Sequence, residues 1–165
     1  MFRFKATVLR RIGATVAVSV AALSGATLFS SAASAADAEP KPSVTLTLRD
    51  SKLGQMIADD KGMAIYMFVL DQRNVSNCEG GCLTAWPPVM LKEKETLANV
   101  KLEGGLRRSL LGVAMRVDGS RHVTYNSYPL YWWARDKVAG DITGQWVGGT
   151  WFVLSGAGHP NSGRL

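Results

Sequence analysis

Polar and apolar positions alternate over residues 43–49, which puts Val44, Leu46 and Leu48 on one face of an expected strand. Met63 to Leu70 is a continuous apolar run with aromatics, the pattern of a buried strand. Val113 to Val117 and Arg121 to Tyr125 flank Asp118-Gly119, a pair suited to the positive-φ positions of a tight hairpin turn. Pro129 to Ala134 and Thr150 to Leu154 supply further strands, with glycines such as Gly104, Gly140 and Gly148 between them for short turns. Met90 to Val100 is rich in helix formers and predicts a short exposed helix or turn. Leu106 to Leu111 predicts another helical turn. The sum is a mainly β domain, a compact barrel or sandwich of about eight short strands with little helix.

The start of the chain has a different pattern. Arg3, Lys5, Arg10 and Arg11 precede the uncharged run Ile12 to Phe29, and Ala33-Ser34-Ala35 follows with small residues at the cleavage positions. Residues 1–35 therefore read as a secretory signal cut after Ala35. The competing reading is an uncleaved anchor, for which 18 residues diluted by Gly, Ser and Thr are short of the roughly 20 needed to span. Residues 36–43 read as an extended leader, 44–158 as the folded domain and 159–165 as a loose tail.

Export changes the picture of charge and of the cysteines. The whole chain carries a formal charge of +6, but removal of residues 1–35 leaves 15 basic against 13 acidic residues. That is too mild a surplus to argue for nucleic acid. Cys78 and Cys82 would lie in an oxidising compartment, with Gly80 and Gly81 letting the chain bend between them. A structural disulfide there contributes roughly 2 kcal/mol in the chain-entropy model. Redox use is the alternative, although the spacing is not C-x-x-C and no helix start is expected there. A thiolate metal site would find only His122 and His159 as further imidazole ligands. His122 is expected at an exposed or edge strand position and His159 in the solvated tail.

A shift of 65 residues superposes the chain on itself. Tyr66 falls on Tyr131, Phe68 on Trp133, Asp71 on Asp136 and Trp86 on Trp151. Two copies of one β-rich unit are expected, over about 44–88 and 112–156.

Tyr66-Met-Phe-Val-Leu-Asp71 and Tyr131-Trp-Trp-Ala-Arg-Asp136 both fit Y-x-(F/W/Y)-x-x-D. The chain resembles the bacterial family of secreted repeat proteins and predicted lipoproteins named for this motif. Further blocks carry the likeness: Leu53-Gly54, Lys61-Gly62-Met63, the Ser76 to Pro88 segment with both cysteines and Trp86, Gly140-Asp141 with Thr143-Gly144, and Trp151-Phe152-Val153. The resemblance implies an exported β-rich fold and no established activity. No cysteine follows the apolar run as a lipid acceptor, so a soluble periplasmic or extracellular form is expected, without stable membrane insertion after signal cleavage. His122 stands where the family usually has Gln.

Within each motif the aromatics at i and i+2 share a strand face and can carry a small core. Asp71 and Asp136 fall at the strand exits, where a carboxylate can fix a turn by accepting N–H groups. Alternatively, the two converge as paired carboxylates for acid–base work, or the aromatics form a platform for a sugar, peptide or flat cofactor. Trp132 and Trp133 are adjacent, so one can be core and the other exposed. No nucleophile elbow, zinc-protease motif or phosphate loop is present. The expected function is non-enzymatic: an exported binding or envelope-associated module whose partner is a small ligand or an envelope protein, with no cofactor. The alternative is a redox- or metal-related accessory using Cys78 and Cys82.

Overall fold

The computed structural model describes residues 42–163. The signal, almost all of the leader and the last two residues lie outside them.

The first hairpin joins β1 (Val44–Ser51) to β2 (Gly54–Ala58), with Ser51 opposite Gly54. Gly54 takes a positive φ of 86° at this turn, and Ser51 Oγ donates to its carbonyl. Val44 and Leu46 are buried and Leu48 packs beside them, as the alternation requires. β3 (Tyr66–Phe68) follows, then a five-residue helix α1 (Gly81–Ala85) and β4 (Met90–Leu91). β5 (Val100–Leu102) pairs in parallel with β1. The second hairpin joins β6 (Leu111–Met115) to β7 (Arg121–Tyr125), and β8 (Tyr128–Pro129) folds back on β7. β9 (Trp151–Val153) returns to pair antiparallel with β3. Strand orders are β2-β1-β5, β3-β9 and β4-β7-β6 with β8 on β7. The sheets are open, so the β-rich domain is sandwich-like and not a closed barrel.

The segment Met90 to Val100, expected as a short exposed helix or turn, forms no α-helix. Its apolar ends are drawn into sheets instead: Leu91 pairs with Arg121, and fully buried Val100 pairs with Val44. Only Leu97–Asn99 winds into a 3-10 turn, capped reciprocally by Thr96 and Asn99. Tertiary pairing overrides helix propensity here. The turn foreseen near Leu106 to Leu111 is present as 3-10 helix over Arg108–Leu110. In the β6–β7 hairpin only Gly119 has a positive φ, 79°. Asp118 serves through its side chain, accepting from Ser120 N and Oγ.

The tail is not loose through residue 163. Gln145 Nε2 donates to Asn161 O (2.6 Å) and Gly163 O (3.0 Å), and Asn161 Nδ2 donates to Leu53 O (2.6 Å). These contacts use backbone carbonyls, which a side-chain pattern does not reveal. His159 is exposed.

The two halves meet at their motif tyrosines. Tyr66 N donates to Tyr131 O (2.8 Å) and Tyr131 N to Tyr66 O (2.9 Å). Around this pair the contacts come in couples related by the 65-residue shift. Tyr66 bridges to Val153 as Pro88 bridges to Tyr131. Val69 N donates to Thr150 O as Ala134 N donates to Ala85 O. The first motif strand, β3, thus pairs with β9 and its Trp151, while the second motif meets the Ala85–Pro88 segment around Trp86 through isolated bridges, an approximate two-fold exchange. The strand expected over Pro129 to Ala134 is not formed beyond Pro129 and the bridge at Tyr131. The core falls into two clusters. One is mainly aliphatic, with Tyr125 and Phe152, and draws on β1, β2, β3, β4, β5, β7 and β9. The other is aromatic and gathers the motif residues.

Candidate functional site

The aromatic cluster is a continuous stack centred on the two equivalent tryptophans. Trp86 and Trp151 lie face to face, ring centroids 3.7 Å apart and planes 4° from parallel. Phe68 stacks on the outside of Trp151 (4.4 Å), and Trp133 packs on Trp86 (4.1 Å). The tyrosines meet the stack edge-on, Tyr66 against Trp86 at 5.3 Å and Tyr131 against Trp151 at 5.1 Å. In the outer pairs, therefore, each motif's i+2 aromatic covers the other half's tryptophan. Gly144 passes so close that a Cβ there would stand 2.8 Å from the Tyr66 ring and 2.9 Å from Trp86.

The polar groups cross over in the same way. Tyr66 Oη donates to Asp136 Oδ2 and Tyr131 Oη to Asp71 Oδ2, both at 2.7 Å. Each aspartate's other oxygen holds the loop that follows it. Asp71 Oδ1 accepts from Asn77 N, and Asp136 Oδ1 accepts from Thr143 N and Oγ1. The carboxylates do fix the strand exits, but by clamping six or seven residues ahead and not by a local Asx turn. They serve separate tyrosines and share no hydrogen bond. Burial and the facing carboxylates push both phenols well above their ordinary range, so each stays a donor.

The Asp71 side of the exchange carries an additional ion. Arg116, almost wholly buried, donates to Ser76 Oγ (2.8 Å), Cys78 O (3.0 Å) and Glu79 Oε1 (2.7 Å). Ser76 Oγ in turn lies 2.8 Å from Tyr131 Oη. Sequence reasoning missed Arg116. Its only signal was a lone cation at the end of an apolar strand. Cys78 and Cys82 form a disulfide, with Cα atoms 5.4 Å apart. Cys78 is buried, whereas half-buried Cys82 sits in the first turn of α1, a helix start the sequence did not indicate. Trp86 N donates to Cys82 O, so the bridge leads directly into the stack.

His122 is fully buried, contrary to the expected edge position. β7 lies between β4 and β6, so its inward side chains have no open edge. The ring stands edge-on to Tyr131 (4.8 Å), Nε2 lies 2.6 Å from Leu130 O, and Nδ1 has no partner among the described residues. Trp132 and Trp133 do point to opposite sides. Trp133 is in the stack, while half-buried Trp132 packs on the aliphatic cluster and donates to Asp59 Oδ2 (3.1 Å). No open aromatic platform results from this pair.

Burial lowers the His122 pKa from its ordinary 6.5 to about 4, and Arg116 adds to the effect. Burial raises Asp71 to about 6, against the opposing pull of Asn77 N–H, Tyr131 and Arg116. Between about pH 4 and pH 6.5 the two act in opposite directions. The unfolded chain protonates His122 where the folded protein does not, so this group makes stability rise with pH. The folded protein retains a proton on Asp71 that the unfolded chain has released, so this group makes stability fall. Each amounts to roughly 3 kcal/mol across its window. Urea unfolding of D71N is therefore expected to show stability rising from pH 4.5 to 6.5. H122Q should show it falling, and the parent chain should lie between. Equal slopes in the two variants would contradict the assignment.

These features define a class: a β-rich protein of two fused repeats that exchange their signature side chains across the repeat boundary. The chain belongs to the family described as a secreted repeat of unknown function, whose model matches residues 47–90 and 112–155, one match in each half. No curated protein and no solved structure matches it. No helix among the described residues is long and apolar enough to cross a membrane.

Proposed function

We propose that this secreted-repeat protein is a non-enzymatic binding or envelope-associated module that works through its surface. One observation supports the reading above others: the motif tyrosines and aspartates are buried and spend their polar groups on each other, Tyr66 with Asp136 and Tyr131 with Asp71. A catalytic carboxylate needs room for a substrate within hydrogen-bond reach. Here both carboxylates are occupied by a phenol on one oxygen and by downstream donors on the other. The motif then builds the scaffold, and loops and clefts around it carry recognition.

A periplasmic redox- or metal-related accessory using the Cys78/Cys82 pair is the second reading, favoured by half-buried Cys82 in the first turn of α1. The two separate in one experiment. The native mass spectrum of the protein recovered from the exported fraction is compared with that of the C78S/C82S variant. The binding module predicts the same bound mass on both, with the variant roughly 2 kcal/mol less stable to urea. Loss of the bound mass from the variant while it remains folded would transfer the function to the cysteines.

A further inference from the structure

The two-fold exchange produces two equivalent clefts, and their chemistry has diverged. In each, the loop beyond one motif meets the turn that precedes the other half's motif. Gly140 N donates to Gly62 O in one and Asn74 N to Ser127 O in the other, at 3.0 and 2.7 Å. The first cleft, about 230 Å³, is lined by Arg49, Asp50 and Lys61 along with Gly62, Ala139 and Gly140. The second, about 250 Å³, is lined by the polar residues Asn74, Ser109, Thr124, Asn126 and Ser127 together with Leu110, Leu111 and Gly112. No charged side chain lines it.

We propose that this second cleft binds a neutral polyhydroxyl ligand, a sugar residue, and so gives the binding module proposed above, on which this inference rests, a ligand class. Hydroxyl and carboxamide groups both donate and accept, which is what a ring of hydroxyls requires. A charged ligand would be desolvated there without a countercharge, and a wholly apolar one would strip water from five polar residues for contact with Leu110 and Leu111 alone. The groups are also available. Among the described residues the hydroxyls of Ser109 and Ser127 and the Nδ2 of Asn74 make no hydrogen bond, while Asn74 Oδ1 is fixed by Thr124 Oγ1 at 3.3 Å. The rim is held by two turns. Asn126 and Ser127 have φ of 51° and 67°, the two-residue turn of the β7–β8 hairpin, and Asn74 has φ 57°. Beside them Tyr128 is half-buried, with the Arg73 guanidinium 5.9 Å from its ring centroid.

The left-handed backbone makes clean variants possible. S127G removes a recognition group where glycine is the residue best suited to the φ, so the fold is retained. N74G suits its φ equally but also removes the acceptor of buried Thr124 Oγ1, so a lower Tm is expected for it. The experiment titrates ¹⁵N-labelled protein with glucose, N-acetylglucosamine and their trisaccharides, following backbone amide shifts. The expected result is saturable shifts confined to residues 72–75, 109–112 and 124–128. The apparent Kd should be on the order of millimolar for a monosaccharide and at least about tenfold weaker in N74G and S127G, with Tm held in S127G. Tighter binding of a trisaccharide assigns the site to a glycan chain, and equal binding assigns it to a free sugar. No shift with any probe, shifts in the Arg49–Lys61 cleft, or unchanged affinity in both variants would overturn the proposal and leave the non-enzymatic reading standing. Appearance of a new sugar species in the same spectra would overturn that reading instead.

Discussion

Trp86→Ala is expected to destabilise the protein by about 4 kcal/mol, the largest single effect the fold predicts. Trp86 is 4% exposed and lies between Trp151 and Trp133, with Tyr66 against its edge. Truncation opens a cavity bounded by rigid rings, which cannot collapse into it, and each lost aromatic pair adds to the cost of lost area. The cost is a large share of the roughly 5–15 kcal/mol that holds a domain together. Trp151→Ala should cost a similar amount, since it loses Phe68, Trp86 and Tyr131. The double variant should lose less than the sum, because the stack between the two is already gone in either single variant. Urea unfolding followed by circular dichroism measures all three. A loss below about 1 kcal/mol for Trp86→Ala would mean that the stack is not the core.

Tyr66→Phe and Tyr131→Phe are expected to cost roughly 1–3 kcal/mol each, with Tyr66→Phe the costlier. Neither change alters the ring, so the loss is that of the hydroxyl alone. Without Tyr66 Oη, Asp136 Oδ2 loses its donor and Gly144 N, which donates to the same phenol at 3.2 Å, loses its acceptor. Two buried groups are then unpaired. Without Tyr131 Oη, Asp71 Oδ2 loses its donor, but Ser76 Oγ retains Arg116 at 2.8 Å. Tyr131→Phe should carry a second signature. The Tyr131 hydrogen bond holds the Asp71 pKa down against burial, so its removal raises that pKa above about 6. The fall of stability with rising pH then extends to higher pH than in the parent chain.

Which residues matter was legible in the chain; which residues meet was not. The β6–β7 hairpin and the face of β1 followed from alternation and an Asp-Gly signal, because both are local. The 65-residue shift identified Tyr66 and Tyr131, Asp71 and Asp136, and Trp86 and Trp151 as equivalent. Equivalence is not contact, however. An internal repeat specifies that two positions share an environment, and nothing in it says that each environment is completed by the other copy. The crossing of Tyr66 to Asp136 spans 70 residues and that of Tyr131 to Asp71 spans 60, beyond any local periodicity. Arg116 and His122 were obscure for a related reason. A buried cation and a buried imidazole are exceptions to burial preference, and only their partners, Ser76, Cys78 and Leu130, reveal them. The strands β4 and β5 were hidden under helix formers because their stability comes from β7 and β1.

The central claim is that the two repeats are locked by exchange, each tyrosine serving the other repeat's aspartate. Double-mutant cycles test it most directly. Tyr66→Phe is combined with Asp136→Asn and, separately, with Asp71→Asn, and stability is read from urea unfolding. Exchange predicts a coupling of about 1 kcal/mol or more between Tyr66 and Asp136, and none beyond error between Tyr66 and Asp71. Coupling confined to Tyr66 and Asp71, within one motif, would contradict the account.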